Sequence, residues 1–227
     1  MNSPFTLQPV PTGDATARYE RLSHGGTTWH DLMPTPANGT DGTIGAAFTW
    51  PNFNGESFVS IGDPTKLKFA GAFTICSWHR QSTAPPRQGN ERIVSRDAGG
   101  NGVRPFLMSQ DEITGLAQAF VYSNAFNNVQ ASGNYATNTY HMMCLVNEGA
   151  GGDLLLYMDG TLQGTAAGKG GAVPNWLNID TEFGRHQMAN NTTDYFTGEI
   201  DTVRFYGRAL SADEILRDYH AGKPAHP

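Results

Sequence analysis

Residues 196–215 read FTGEIDTVRFYGRALSADEI, from Phe196 to Ile215. The first half reads as a strand, with Ile200, Val203 and Phe205 as its core positions. Glu199 and Asp201 stand two residues apart, and a strand puts residues i and i+2 on one face. The second half reads as a helix start. Ser211 is an N-cap, Glu214 three residues on completes a capping box, and Leu210 before the cap can staple onto Ile215. Leu216 and Tyr219 extend the apolar stripe, and Gly222 is a stop signal. The stretch is therefore a last strand that hands over to a short helix. The question it raises is whether Glu199 and Asp201 do chemistry or belong to the sheet.

Working outward, the same strand grammar recurs. SFVSIG alternates, FTICSWHR is a more fully apolar run, and RIVSR, VRPFLMS, GLAQAFVYS, YHMMCLVN, DLLLYM, WLNIDTEFG and FTGEIDTVRFYG follow. Asp159-Gly160 between two apolar runs predicts a tight hairpin, because both central residues of that turn need positive φ. About ten short strands with one late helix predict a two-sheet antiparallel sandwich or jelly roll. The 227 residues suit one such domain, and 27 glycines, 13 prolines and only 16% charged residues argue against a helical bundle. The Asn-rich stretch 124–138 and the segment 186–195 read as polar loops.

The formal charge is −6, which argues against a nucleic-acid partner. Arg80, Arg87, Arg92, Arg96 and Arg104 fall in one region with Glu91 and Asp97 among them, and we read them as a solvated loop. Cys76 and Cys144 both lie in apolar runs. They read as two buried free thiols; the alternative is one disulfide, which implies an oxidising compartment. The N-terminus has neither a basic n-region nor an apolar h-region, so the expectation is a chain made in the cytoplasm, and no run is long enough to span a membrane.

Seven segments in order, FNGESFVSI, LKFAGAFTICSWHR, IVSR, YHMMCLV, LLLYMDGTLQGT, FGR and the closing FTGEIDTVRFYGRALSADEI, resemble the concanavalin A-like, laminin-G-like jelly-roll superfamily. The pattern Gly-x-Ile-Asp-x-Val-Arg-x-Tyr-x-Arg-Ala-Leu-Ser-x-x-Glu-Ile over 198–215 carries most of the resemblance. It implies an all-β fold of two curved antiparallel sheets over about 19–220, with one short C-terminal helix, an extended arm at 1–18 and a tail at 221–227. It also implies a range of uses: glycan binding, adhesion, virion structure, and in some relatives glycoside cleavage.

Cleavage in such relatives needs a strand of the form Glu-x-Asp-x-(x)-Glu. Glu199 and Asp201 fill the first two places, and Val203 or Arg204 stands where the acid/base would be. Retaining chemistry requires both carboxyl groups, so the expectation is no enzyme, with Asp201 at a strand end or paired with Arg204 or Arg208. There is no His-Glu-x-x-His or paired Cys-x-x-Cys, and His141 reads as a sheet histidine. No cofactor is required. The resemblance leaves calcium open, with Asp31, Asn38, Asp41 and Asp201 as oxygen donors at no diagnostic spacing. For sugar, the candidates are Phe126, Tyr135, Asn190, Asn191 and Tyr195. The functional expectation is a non-catalytic adhesive protein, first a virion component such as a capsid decoration or tail part, made in the host cytoplasm. Its partners would be other virion proteins or surface glycans, with homo-oligomers left open. The alternative is a carbohydrate-binding module of a secreted bacterial protein.

Overall fold

The computed structural model describes residues 17–20, 28–29, 42–43, 53–54, 58–82, 84, 89–97, 105–122, 125–173, 179–185 and 194–226. Its strands are β1 (Ala17–Glu20), β2 (Thr28–Trp29), β3 (Gly42–Thr43), β4 (Phe53–Asn54), β5 (Val59–Ser60), β6 (Phe73–Gln81), β7 (Glu91–Arg96), β8 (Phe106–Gln110), β9 (Leu116–Tyr122), β10 (Phe126–Asn134), β11 (Tyr140–Asn147), β12 (Leu154–Met158), β13 (Thr161–Ala166), β14 (Glu182–Phe183) and β15 (Thr197–Tyr206). Helix α1 (Ala212–Gly222) follows. One sheet has seven strands, in the order β1-β15-β6-β11-β12-β13 with β4 also on β15; the other has six, β10-β9-β8-β7-β14-β5. Every pairing is antiparallel. This is the two-sheet jelly roll expected from the sequence.

Alternation sorts the residues between core and surface. Phe73 and Ile75 of β6, Met143 and Leu145 of β11, and Ile200, Val203 and Phe205 of β15 point inward and meet Val94, Phe106, Met108, Ala119, Val121 and Phe183 of the six-stranded sheet. The opposite parity of the seven-stranded sheet, Cys76, Trp78, Met142, Cys144, Val146, Tyr157 and Tyr206, forms a second apolar layer with Leu210 and Ile215. Helix α1 lies there, started by the predicted capping box of Ser211 and Glu214. Asp159 (φ 51°) and Gly160 (φ 80°) form the predicted hairpin turn. Gly222 has φ −84°, so it does not stop the helix by a left-handed turn. Its role is close approach, since a β-carbon there would lie 2.5 Å from the Trp78 indole nitrogen.

Three expectations are corrected. Cys76 and Cys144 are not free thiols. They face each other across β6 and β11, with Cα atoms 4.1 Å apart, and form a disulfide. Register decides this, and no spacing in the sequence reveals it. The stretch 124–138 is not a loop: it holds β10, whose core-facing Val129 and Ala131 are buried while Asn128 and Gln130 are exposed. Its small inward residues hide the strand pattern. Arg92 and Arg96 are not solvated. Both are buried strand residues, and Arg96 donates to Asp63 and Thr181. Burial lowers its pKa to about 10, against the pull of Asp180. Arg87 and Arg104 lie outside the described residues.

A buried histidine is expected to make the fold acid-labile. His79 is 1% exposed, on the inner face of β6 opposite His141 of β11. Burial, then the nearby His141, lowers its pKa from 6.5 to about 3, although Asp159 and the Ser77 hydrogen bond oppose this. The folded state thus favours neutral imidazole. That contribution is complete above the unfolded value and is lost as pH falls from 6.5 towards 3. At pH 5 the expected loss is about 2 kcal/mol, from roughly 1.4 kcal/mol per pH unit. Urea midpoints at pH 7 and pH 5 test this: the wild type should lose stability that His79→Asn keeps, and equal losses in both proteins would contradict it.

Candidate functional site

The carboxylates that opened the question sit on the outer face of the seven-stranded sheet, under the C-terminal segment. Glu199, Arg80 and Tyr140 lie in register across β15, β6 and β11. Arg80 and Tyr140 both donate to the Glu199 carboxylate. Burial, with the charge of Glu199 beside it, raises the Tyr140 hydroxyl above the ordinary phenol range. β15 slips its register on β6 between Ile200 and Thr202, so Asp201 is the extra residue of a bulge. Its partner is His226, whose Nε2 lies 2.7 Å from Oδ2. The expected arginines go elsewhere: Arg204 lies 3.5 Å from Asp218, and Arg208 pairs with Glu214 at 2.8 Å. Among the described residues no group of three or more His, Cys, Asp or Glu is placed to hold a metal ion.

The six-stranded sheet presents a different outer face. Ser60, Glu182, Ser95, Leu107, Phe120 and Asn128 form one rung across all six strands. Arg92, Ser109, Gln118 and Gln130 form the next across four of them. The even positions of β9 belong to this face because Ala117, Ala119 and Val121 fill the core. The middle is a buried polar floor: Arg92, Ser109, Gln118 and Glu182 are all buried, while Asn128 and Gln130 at the β10 edge are exposed. Phe120 and Tyr122 are half-buried between them.

Arginine–carboxylate pairs lock this floor. Arg92 Nη2 donates to Asp194 Oδ2 at 2.6 Å and Nη1 to Ser109 Oγ at 3.3 Å. Gln118 Nε2 donates to Asn90 Oδ1 at 2.9 Å. Arg185 grips Glu182 at two points, 3.0 and 2.8 Å, and its guanidinium carbon lies 3.1 Å above the centre of the Phe58 ring. Burial of Arg185 is opposed by Glu182 and Tyr195, and its pKa rises. Charges held this way are preorganised donors and acceptors for hydroxyl groups, and aromatic rings beside them offer flat apolar surface. Glu182 and Asp194, two carboxylates at this face, are each paired with an arginine.

Of the residues named from the sequence, Tyr195 lies beside Arg185 and helps raise its pKa. Phe126 sits on β10 in register with Tyr122. Tyr135 does not join them. Its ring packs against His141 at 5.3 Å and against the inter-sheet core, and burial pushes its hydroxyl to about 12. Asn190, Asn191, Asp31, Asn38 and Asp41 lie outside the described residues. The sequence reading missed Arg92, Ser109, Gln118, Glu182 and Arg185. The available signal was a polar side chain at alternate places in otherwise apolar runs, as in LAQAF and FLMSQ, but only cross-strand register shows that they line up.

A family described as the concanavalin A-like lectin/glucanases superfamily, in its Laminin G 3 branch, matches residues 53–216. The chain belongs to that superfamily. Among solved structures it resembles Trypanosoma rangeli sialidase in complex with a difluoro-KDN (TM-score 0.67, 17% identity, covering 95% of this chain and 33% of that one). It also resembles the Ruminococcus gnavus IT-sialidase CBM40 bound to alpha2,3 sialyllactose (0.57, 13%, covering 70% and 91%). A third is the botulinum neurotoxin serotype G binding domain (0.62, 17%, covering 91% and 51%). The chain spans about a third of the sialidase and about half of the toxin domain. At these identities the likeness is one of fold. No curated protein matches the sequence.

Proposed function

We propose that the protein is a non-catalytic glycan-binding module, and that it binds through the outer face of the six-stranded sheet. The contrast between the two outer faces carries this reading. Where α1 packs on the seven-stranded sheet, the outer face is mainly apolar. The other face holds a buried arginine, amide and hydroxyl row in register, flanked by aromatic rings. Burying such groups costs free energy unless they are paired, and here pairing also aims them. The fold neighbours include a carbohydrate-binding module and toxin binding domains as well as sialidases, which supports binding without requiring turnover. A virion role is not needed to explain the face. The paired cysteines fit a module that works outside the cytosol, on a cell surface or a particle. Among the described residues no helix is long and apolar enough to cross a membrane.

A glycan array tests the proposal. The wild type should bind a subset of oligosaccharides, and Gln118→Ala and Arg185→Ala should each weaken that binding about tenfold or more, the loss of one or two hydrogen bonds, charge-assisted for Arg185. Binding unchanged in both variants, or release of reducing sugar that vanishes in Glu199→Gln, would overturn it.

A further inference from the structure

The outer face of the seven-stranded sheet also holds a built arrangement, and the chain itself fills it. After α1, the segment Lys223–Ala225 makes one 3₁₀ turn and delivers His226 onto the sheet. The His226 ring lies flat on the Trp78 indole, with centroids 4.2 Å apart and planes 4° apart. Tyr140 closes its edge at 5.1 Å and 63°. Nε2 meets Asp201 Oδ2 at 2.7 Å and Nδ1 meets the Gly222 carbonyl at 2.8 Å. Both groups facing the ring nitrogens, a carboxylate and a carbonyl, are hydrogen-bond acceptors, the surroundings a cationic donor fits. Glu199 has Arg80 as counter-charge; Asp201 has the His226 ring. Among the described residues, the buried Trp78 indole nitrogen in the same wall has no hydrogen-bond partner.

A cation on a tryptophan face, edged by a tyrosine and met by a carboxylate, is how proteins recognise organic cations. It is a poor way merely to finish a fold. A buried ion pair adds little net stability compared with well-packed apolar groups of the same size. We propose that Trp78, Tyr140 and Asp201 form a second ligand site, held shut by His226. Its ligand is a small organic cation with an apolar face, supplied either as an ammonium-bearing amino sugar or as a basic amino-acid side chain. It lies on the other sheet from the glycan face, so either site can fail its test without the other.

The test uses the full chain and three probes: imidazole, glucosamine and N-acetylglucosamine. The indole N–H signal of Trp78 in an NMR spectrum reports binding. His226→Ala should bind imidazole and glucosamine at least tenfold more tightly than the wild type does, and N-acetylglucosamine, which carries no charge, no better than the wild type. Adding Asp201→Asn should abolish the gain. In the wild type, high imidazole should displace the tail and move the His226 ring signals towards those of a free histidine, which keeps the test valid if His226→Ala does not fold. A folded His226→Ala that ignores imidazole and glucosamine would overturn the proposal. So would equal binding of the charged and uncharged sugars, or wild-type His226 signals that never move. Imidazole binding without glucosamine would assign the site to basic side chains; both together would assign it to amino sugars as well.

Discussion

Replacing Cys76 and Cys144 together by alanine is expected to lower the unfolding free energy by about 4 kcal/mol, the chain-entropy figure for a loop of this length. The two residues are 68 apart in sequence, so the link closes a long loop in the unfolded chain. They sit opposite each other on β6 and β11, two neighbours in the middle of the seven-stranded sheet, so the link asks for no rearrangement of the ladder. Both sulfurs lie in the apolar layer beneath α1, where alanine leaves only a small void. Urea unfolding of the double variant measures the loss. A change below about 1 kcal/mol, or two thiols titrating in the denatured, unreduced protein, would show that the cysteines are not paired.

Phe205→Ala should cost a similar amount, about 4 kcal/mol, for a different reason. Phe205 is fully buried on the inner face of β15. Its ring meets Phe106 of β8 at 6.1 Å and Phe183 of β14 at 6.4 Å, so one side chain joins the two sheets. Truncation leaves a cavity that two sheets pinned by their own ladders cannot close. The unfolding midpoint should fall with the denaturant slope unchanged. A loss under about 1.5 kcal/mol would mean that the sheets do not pack through this ring.

Why the fold was readable and the site was not follows from the range of the interactions. The capping box at Ser211 and the Asp159-Gly160 turn involve residues within three positions of each other, so the residue types themselves report them. Ile200, Val203 and Phe205 show their inward face within one strand, although the bulge at Asp201 shifts the alternation between the first two. The disulfide, the Glu199–Arg80–Tyr140 rung and the Arg92–Ser109–Gln118–Gln130 rung depend on register between strands 17 to 119 residues apart or on adjoining hairpins. A single sequence does not encode register in any local pattern. That is why Arg92 reads as one more surface charge and in the structure is a buried floor residue. Tyr195 stands out in the sequence as an aromatic in a polar stretch, whereas Arg185 beside it carries no such mark.

The pairing of charges fits the proposed reading, holding rather than cutting. General acid catalysis needs a carboxyl that keeps its proton near neutral pH. Glu182, Asp194 and Glu199 each carry an arginine within ion-pair distance. Fixed ion pairs serve recognition instead, because they hold their donors and acceptors in place before a ligand arrives.

On the proposed reading, ligand meets the outer face of the six-stranded sheet. Amide and side-chain NMR signals, followed while an oligosaccharide identified on the array is added, test it most directly. The account predicts shifts concentrated at Gln118, Phe120, Asn128, Gln130 and Tyr195. Shifts confined to the α1 side of the seven-stranded sheet, or an array with no binding at all by folded protein, would contradict it.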